Sequence, residues 1–463
     1  MELAFASATE LAGLVRRGEV SPVELVEAQL RRIEALDPQL NAFVTVCAEQ
    51  ALASAREAET QPDRPFRGVP VTVKDTSETV GVRTTFSSRV YADHVPHREP
   101  AVVRRLRDAG FILLGKTNAP EFATLAVTES VLNGPCRNPW DTTRNAGGSS
   151  GGAAAAVAAG LCPVAHGGDG GGSLRIPASC CGAVGLKPAR GRVSHAPYGG
   201  FADLPTYGPI ARTVLDAAAL LDVMAGYEAG DPYWAPPPER AFAAEAAEEP
   251  RRLRVAVTTE PPIAVPVDPE CADAVEQAAA LLAELGHSVE QATPDWRLDA
   301  LDDWFTTVWQ VSPALFPVPE DQLAQVEPIN RALIEAARRT SSVEYSRSML
   351  ALREAARRIV AFWDRYAVLV TPTLALAPVP VGWVDVEGEP WEEFRRGYRF
   401  TPFTPVANVT GQPAISLPLS WRDDGLPIGV QLIGPPAGEQ VLVRLSAQLE
   451  AARPWAARRP PAS

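Results

Sequence analysis

A serine that could act as a nucleophile ends a run of three glycines in the segment AHGGDGGGSLRIPAS (165–179). Consecutive glycines adopt conformations in which several backbone N–H groups point the same way. Such groups form an oxyanion hole, which stabilises the charge that develops when a serine attacks a carbonyl carbon. Ser173 would therefore meet a prepared site for its oxyanion. The glycine spacing alone also fits a structural loop in which two backbones approach closely, so both interpretations stay open at this point.

A second pair of candidate nucleophiles, Ser149 and Ser150, stands between glycines in RNAGGSSGG (144–152). Both serines match the loose pattern G-x-S-x-G, so the pattern cannot choose between them. The helix-forming run AAAAVAA (153–159) follows directly. Both serines are therefore predicted to lie beside a helix N-terminus, where free backbone N–H groups favour negative charge.

A serine nucleophile requires a neighbouring proton acceptor, and histidine is the usual one. None of the five histidines stands in a position that marks it as a base: His94, His97, His166, His195 and His287. A lysine made neutral by burial is the other common acceptor, because loss of water lowers its pKa from about 10.4. No lysine follows a serine by three residues, so the S-x-x-K arrangement is absent. A base among Lys74, Lys116 and Lys187 would have to reach its serine through the fold.

The composition excludes two classes of partner. The formal net charge is −13 and the pI about 5.1, and no run of Lys and Arg offers a basic face to a nucleic acid. The longest apolar stretch, 153–164, is shorter than the roughly 20 residues of a membrane span, and the N-terminus lacks a signal-peptide pattern. The six cysteines include no C-x-x-C pair, which favours free thiols in a reducing compartment. We expect a cytoplasmic monomer or homodimer that binds neither nucleic acid nor membrane.

Hydrophobic periodicity predicts the elements that position these residues. VPVTVKD (69–75) and FILLGKT (111–117) are typical of buried strands, and AVVRRLRDAG (101–110) is typical of a helix between them. This order predicts an α/β fold. Ser7 and Ser21 begin the capping-box patterns of two N-terminal helices. Further predictions are strands at 253–260, 287–290, 366–373 and 413–420, a helix at 271–285, and surface connections or insertions at 230–250 and 375–400.

Five segments together resemble the amidase signature family: GVPVTVKD (68–75), GGSSGG (147–152), DGGGSLRIPAS (169–179), CGAVGLKP (181–188) and PFTPVANVTGQPAISLPLSWRDDGLPIGVQLIG (402–434). Their order and long spacings agree with the family over most of the chain. The resemblance implies a large, mixed, mostly parallel twisted sheet, covered by helices on both faces, in a single domain over 1–463. It divides that domain into a helical segment (about 1–60), a catalytic core (about 61–230), a variable substrate-pocket region (about 231–400) and a closing segment (about 401–463).

The resemblance also implies catalytic roles, residue by residue. Ser173 matches the nucleophile, Lys74 matches the base, and Ser149 matches a bridging serine. The peptide bond before that bridging serine, from Gly148, is expected to be cis. A neutral lysine then accepts a proton from the bridging serine, which accepts one from the nucleophile, and water hydrolyses the resulting acyl-enzyme. The implied oxyanion donors are the N–H groups of Gly170, Gly171, Gly172 and Ser173. The implied supporting residues are Ser150, Asp169 and Arg175. The resemblance implies no metal and no other cofactor.

The substrate is predicted less sharply than the chemistry. The motifs are most similar to those of bacterial amidases related to 6-aminohexanoate cyclic dimer (nylon-oligomer) hydrolases, and less similar to those of tRNA amidotransferase subunits. This implies hydrolysis of small, largely apolar amides, with carbamates (urethanes) or lactams as alternatives for the same triad. The aromatic stretch DDWFTTVWQ (302–310) fits either a core or the wall of a substrate pocket. The expected pocket residues are Trp304, Phe305, Trp309, Asn408 and Gln412.

Two other classes of function stay open at the level of sequence. An α/β-hydrolase-type esterase would use Ser149 or Ser150 as the nucleophile and a histidine as the base. A glycine-loop module for a phosphorylated ligand would bind without hydrolysis, although the G-x-x-x-x-G-K-[ST] pattern is absent.

Overall fold

A computed structural model describes residues 3–61, 64–297 and 300–463. Its strands are β1 Phe43–Val46, β2 Pro70–Lys74, β3 Ile112–Thr117, β4 Arg137–Asn138, β5 Asp141–Asn145, β6 Val164–Asp169, β7 Val184–Lys187, β8 Thr206–Ala211, β9 Arg254–Val257, β10 Ser288–Gln291, β11 Val368–Pro372, β12 Ala414–Trp421 and β13 Pro427–Ile433. Within the described residues, eleven of these strands form one sheet in the order β1-β3-β2-β6-β8-β7-β12-β13-β11-β9-β10, and β4 pairs with β5 alone.

The sheet is mixed, as the resemblance implies, but its antiparallel pairs outnumber its parallel ones. β2 runs parallel to β3 and β6, and β9 runs parallel to β10 and β11. The other six neighbouring pairs found in the described ranges are antiparallel. The expectation of a mostly parallel sheet therefore needs correction. The consecutive strands β7–β8 and β12–β13 lie side by side with no crossover helix between them, and such connections give antiparallel pairs.

Helices cover both faces of the sheet. They are α1 Ala8–Arg16, α2 Pro22–Leu40, α3 Ala48–Thr60, α4 Ala101–Asp108, α5 Gly151–Ala158, α6 Arg175–Cys181, α7 Val214–Met224, α8 Phe242–Glu245, α9 Pro269–Glu284, α10 Leu301–Trp309, α11 Val311–Ala314, α12 Pro328–Arg339, α13 Ser342–Val360, α14 Pro390–Phe400, α15 Pro405–Thr410 and α16 Glu439–Ala452. Successive strand residues point to opposite faces, so Val164 of β6 packs in one hydrophobic core and Ala165 in the other. The sheet is thus the middle layer between two helical layers.

Most of the elements predicted from periodicity are present, and the local signals explain their starts. Ser21 Oγ accepts the N–H of Glu24 at 3.1 Å while the Glu24 carboxylate accepts the N–H of Ser21 at 2.8 Å, which completes the predicted capping box of α2. Ser7 caps α1 in the same position. The segment 375–400, expected to be a surface connection or an insertion, contains α14 in its second half, and this helix buries Phe394 and Phe400.

A layer of helices, α10 and α12–α14, lies beside the sheet and has its own core. Phe305, Trp309, Leu333, Leu352 and Phe394 are among its buried members. The stretch 302–310, whose role the sequence left open, forms most of α10 and contributes to this core. Two of its aromatic rings also reach the cavity described below.

Candidate active site

A buried hydrogen bond joins Lys74 to Ser149. Lys74 is the last residue of β2, and its Nζ donates to Ser149 Oγ at 2.6 Å. The peptide bond between Gly148 and Ser149 is cis, at the place that the resemblance predicts. Burial lowers the pKa of Lys74 to about 7, although the charge of Asp169 acts to raise it. Near neutral pH a large fraction of Lys74 is therefore the free amine, the form that can accept a proton.

Ser150 connects the two glycine-rich segments. It stands directly before α5, and its Oγ donates to the carbonyl oxygen of Gly168 at 3.2 Å. Its backbone N–H donates to the carbonyl oxygen of Ser173 at 3.2 Å. The glycine at 148 is required by a close approach, because a Cβ there would lie 2.7 Å from the backbone of Val127. These contacts hold the segments around both serines in a fixed relation.

Ser173 lies on the loop before α6, and hydrogen bonds to Asp169 fix the conformation of that loop. The Asp169 carboxylate accepts the N–H of Gly172 at 2.7 Å and that of Leu174 at 3.1 Å. Gly172 has a φ of +133°, and a Cβ there would lie 2.2 Å from Oγ1 of Thr404. Only glycine satisfies both the backbone conformation and the available space. The glycine run is therefore a constrained loop and not a flexible connection.

The predicted set of oxyanion donors loses one member. The N–H of Gly172 already donates to Asp169, so it is not available to a substrate. In the part of the chain that the structure describes, no hydrogen bond engages the N–H groups of Gly170, Gly171 or Ser173. Thr404 Oγ1 donates to the carbonyl oxygen of Gly171 at 2.7 Å and fixes the orientation of that peptide. The remaining three N–H groups are the candidates for stabilising an oxyanion.

The side chains of Ser149 and Ser173 line the same cavity. No hydrogen bond links Ser173 Oγ to Ser149 in this conformation, as far as the described residues go. Both serines nevertheless line one cavity together with Lys74. Catalytic hydrogen bonds are often long without substrate and shorten when it binds, so the missing bond is compatible with a proton relay.

Asp169 and Arg175 form an ion pair in the interior. Arg175 Nη2 lies 2.9 Å from Asp169 Oδ1, and both side chains are fully buried. Burial by itself raises the pKa of Asp169, but the charge of Arg175 and its hydrogen bond outweigh burial and lower that pKa to about 2. Arg175 also donates to the carbonyl oxygen of Thr404 and to Gln431 Oε1. The pair thus ties the nucleophile loop to the C-terminal segment.

Three of the expected pocket residues lie outside the cavity walls. Asn408 is buried behind them, where its Nδ2 donates to Asp169 Oδ1 at 2.9 Å and its Oδ1 accepts from Arg175 at 2.7 Å. Gln412 donates to the carbonyl oxygen of Gly434 at 2.7 Å. Trp304 packs against the core of the helical layer. For Asn408 and Gln412 the physical reason is hydrogen bonding: the buried amides pair with interior polar groups of their own C-terminal segment and of the nucleophile loop.

Ser173 stands between two cavities of different character. The first, of about 60 Å³, has mainly apolar walls and is lined by Leu125, Ala126, Gly171, Ile176, Phe305, Trp309, Phe394, Gly397, Tyr398 and Pro405 among others. The second, of about 540 Å³, contains Lys74 and Ser149 and extends past Glu78, Tyr91, Tyr198 and Phe316. We call them the narrow and the wide cavity. Phe305 and Trp309, two of the expected pocket residues, line the narrow cavity, and Trp309 lines the wide cavity as well.

Other titratable groups do not offer a second catalytic arrangement. His94 bonds to Glu78, His195 to a backbone carbonyl and His287 to Gln448, and none of the described histidines bonds to Ser149, Ser150 or Ser173. Lys116 and Lys187 are buried and hydrogen-bonded elsewhere. Within the described ranges, no three His, Cys, Asp or Glu side chains converge as metal ligands, and no helix is long and apolar enough to cross a membrane.

Comparison with known proteins gives consistent matches over the whole length. The profile of the amidase family matches residues 24–443. The chain is 42% identical to the putative amidase AmiB2 of Mycobacterium tuberculosis, over 100% of this chain and 99% of that protein. It is 40% identical to the 6-aminohexanoate-cyclic-dimer hydrolase of Paenarthrobacter ureafaciens, over 98% and 96% of the two chains. A solved structure of 6-aminohexanoate cyclic dimer hydrolase complexed with substrate superimposes with a TM-score of 0.93 at 38% identity, over 100% of both chains.

Proposed function

Because this chain belongs to the amidase family, it is a hydrolase that acts on carbon–nitrogen bonds, and we propose that Ser173, Ser149 and Lys74 form its catalytic triad. The observation that carries this proposal is the buried hydrogen bond of 2.6 Å between Lys74 and Ser149, in the cavity that Ser173 also lines. A lysine whose pKa is lowered to about 7 suits the task of a general base at neutral pH.

The reaction proceeds in two halves. With Lys74 as the free amine, Ser149 passes its proton to Nζ and takes the proton of Ser173, whose oxygen then attacks the amide carbonyl carbon. The N–H groups of Gly170, Gly171 and Ser173 stabilise the oxyanion. The same relay returns a proton to the departing nitrogen, the carbon–nitrogen bond breaks, and an ester to Ser173 remains. Water attacks that ester with Lys74 again acting as the base, and the carboxylic acid leaves.

The position of the relay decides which part of the substrate enters which cavity. The departing nitrogen must receive its proton from Ser149, and Ser149 lines the wide cavity only. The amine portion therefore occupies the wide cavity, and the acyl chain points into the narrow one.

The sizes and walls of the two cavities support a proposal for the substrate class. The narrow cavity, of about 60 Å³ with largely apolar walls, suits a short apolar acyl group. The wide cavity, of about 540 Å³, has room for an aryl or alkyl amine. The substrates that fit are small amides, with carbamates as a further class for the same triad. The similarity to 6-aminohexanoate-cyclic-dimer hydrolase adds that cyclic diamide as a second candidate.

A substrate panel on paired variants tests this function. Acetanilide, N-butylacetamide, phenyl acetate, ethyl N-phenylcarbamate and the cyclic dimer of 6-aminohexanoate are assayed with wild type, Ser173→Ala and Ser446→Ala. Ser446 is a matched control, because it is a fully buried serine on α16, remote in sequence from the site. We expect amide hydrolysis by wild type and by the control, and a loss of several orders of magnitude in Ser173→Ala. Retained amide turnover in a folded Ser173→Ala protein would contradict the triad.

A further inference from the structure

A carboxylate stands in the wall of the wide cavity and has no part in the proposed triad. Glu78 lies four residues beyond the end of β2, and 18% of its side chain is exposed. His94 Nε2 lies 3.1 Å from its Oε1, and the hydroxyl of Tyr198 donates to its Oε2. All three residues line the wide cavity. The carboxylate is thus fixed in position by neighbours that line the same wall.

The hydrogen-bonding capacity of Glu78 is not exhausted by these neighbours. An ionised carboxylate offers about four lone-pair sites, and the described contacts occupy two of them. Beside it stands Tyr91, which also lines the wide cavity and whose buried hydroxyl has no partner among the described residues. Burial and the charge of Glu78 raise the pKa of Tyr91, so that hydroxyl stays protonated. A ligand that donates hydrogen bonds would pair with the remaining lone pairs of Glu78.

The charges around the wide cavity leave Glu78 without a permanent cationic partner. Within the described ranges no Lys or Arg forms an ion pair with it. Its ion-pair contact is His94, which is charged only when protonated, and the buried Lys116 interacts with its charge without contacting it. Arg98 also lines the cavity, but it is exposed and stacks on the ring of Tyr198 at 4.7 Å. The other carboxylate in the wall, Asp169, is neutralised by Arg175. Glu78 is therefore the carboxylate in this wall that can pair with a positive charge on a bound molecule.

We propose that Glu78 is a specificity-determining residue, which binds a protonated amine or another N–H donor carried by the amine portion of the substrate. This inference rests on the proposed function, which places the amine portion in the wide cavity. The preferred substrates are then amides in which a short apolar acyl group is joined to a diamine or another amine with a second, cationic nitrogen. Tyr198 and His94 act as positioning residues, since they orient the carboxylate.

A matched substrate series tests this specificity. Wild type, Glu78→Gln and the control Glu276→Gln are assayed with N-(ω-aminoalkyl)acetamides of two to six methylenes, with the uncharged N-alkylacetamides and with the ω-carboxyalkyl analogues. Glu276 is a suitable control because it lies on α9 and is exposed. In wild type and control, we expect the ammonium substrate of the best length to exceed its uncharged analogue by roughly ten- to hundredfold in kcat/KM, the usual strength of a hydrogen bond to a charged group. In Glu78→Gln this ratio falls to near one.

Three results would overturn the inference: no ammonium preference at any length, a preference that persists in Glu78→Gln, or a preference for the carboxylate series. Hydrolysis of the uncharged amides that depends on Ser173 would meanwhile leave the proposed function intact. Absence of hydrolysis for every amide would contradict the function itself, and this inference with it. If Glu78→Gln does not fold, inhibition of wild-type acetanilide hydrolysis by alkylammonium ions decides the question. Inhibition at least tenfold stronger than by the matching alcohols supports it, and equal inhibition overturns it.

Discussion

The pH dependence of amide hydrolysis follows from the environment of Lys74. With a pKa of about 7, roughly a tenth of Lys74 is neutral at pH 6, half at pH 7 and nine tenths at pH 8. Because only the free amine can accept the Ser149 proton, kcat/KM should rise about tenfold from pH 6 to pH 8 and then reach a plateau. A lysine with the ordinary pKa of 10.5 would be less than about 1% neutral at pH 8, and the rate would keep rising tenfold per unit to above pH 10.

A second buried lysine, Lys187, provides the control for this experiment. Burial also lowers the pKa of Lys187 to about 7, but its Nζ donates to the carbonyl oxygens of Pro188 and Gln412 and lies outside the wide cavity. A pH profile of wild type alone would not separate the two amines. Lys187→Met, an uncharged side chain only one atom shorter, should retain the midpoint near pH 7, whereas Lys74→Met should lose several orders of magnitude of activity at every pH.

The assay is kcat/KM for acetanilide from pH 5 to pH 10 at constant ionic strength, with circular dichroism at each pH to confirm that the protein stays folded. A flat profile between pH 6 and pH 8, or a decline above neutrality without loss of structure, would refute the assignment of Lys74 as the base. Loss of the midpoint near pH 7 in Lys187→Met would assign that titration to Lys187 and would equally refute Lys74 as the base.

Three further changes test the geometry around Ser173. Gly397→Leu should fill the narrow cavity and lower the ratio of kcat/KM for hexanoyl anilide over acetanilide at least tenfold, while Gly397→Ala, whose Cβ meets only a methyl group at 3.9 Å, should preserve it. Asp169→Asn should cost about 3–5 kcal/mol in the free energy of unfolding measured in urea, because it leaves a buried guanidinium without its countercharge. Any residual activity of that variant should show its pH midpoint below 7, since the charge that raises the pKa of Lys74 is gone. Gly172→Ala should lower kcat about a hundredfold, because its Cβ would lie 2.2 Å from Thr404 Oγ1 and displace the loop; wild-type rates would contradict that constraint.

Several strands with runs of apolar residues were predicted from the sequence, although the apolar strand β13 was not, and strands without such runs were missed. Strands β2, β3, β9, β11 and β12 are rich in branched apolar residues and were found within a few positions. Strand β6 was missed because its sequence VAHGGD contains two glycines, which are rare in strands, and its ladder is fixed by neighbours far along the chain. Strand β8 contains both glycine and proline and was missed for the same reason.

Part of the site could be predicted because its residues stand in contiguous motifs. Lys74, Ser149 and Ser173 each lie in a motif that resembles the family, and the structure brings the three to one cavity. The set of N–H groups that can stabilise an oxyanion could not be refined from sequence. The N–H of Gly172 is excluded only because the Asp169 carboxylate folds back and accepts it. Nothing in the sequence marked Glu78 as a residue of the site except its position four residues after Lys74. That position places both residues in the wall of the wide cavity.

Covalent labelling tests most directly the claim that Ser173 is the attacking serine. After reaction with a fluorophosphonate, digestion with trypsin should release the peptide 145–175, which contains Ser149, Ser150 and Ser173 together, so fragmentation within it must locate the adduct. The triad predicts one adduct, on Ser173, that is lost in Ser173→Ala and strongly slowed in Lys74→Met. An adduct on Ser149 or Ser150 in a folded protein would contradict it.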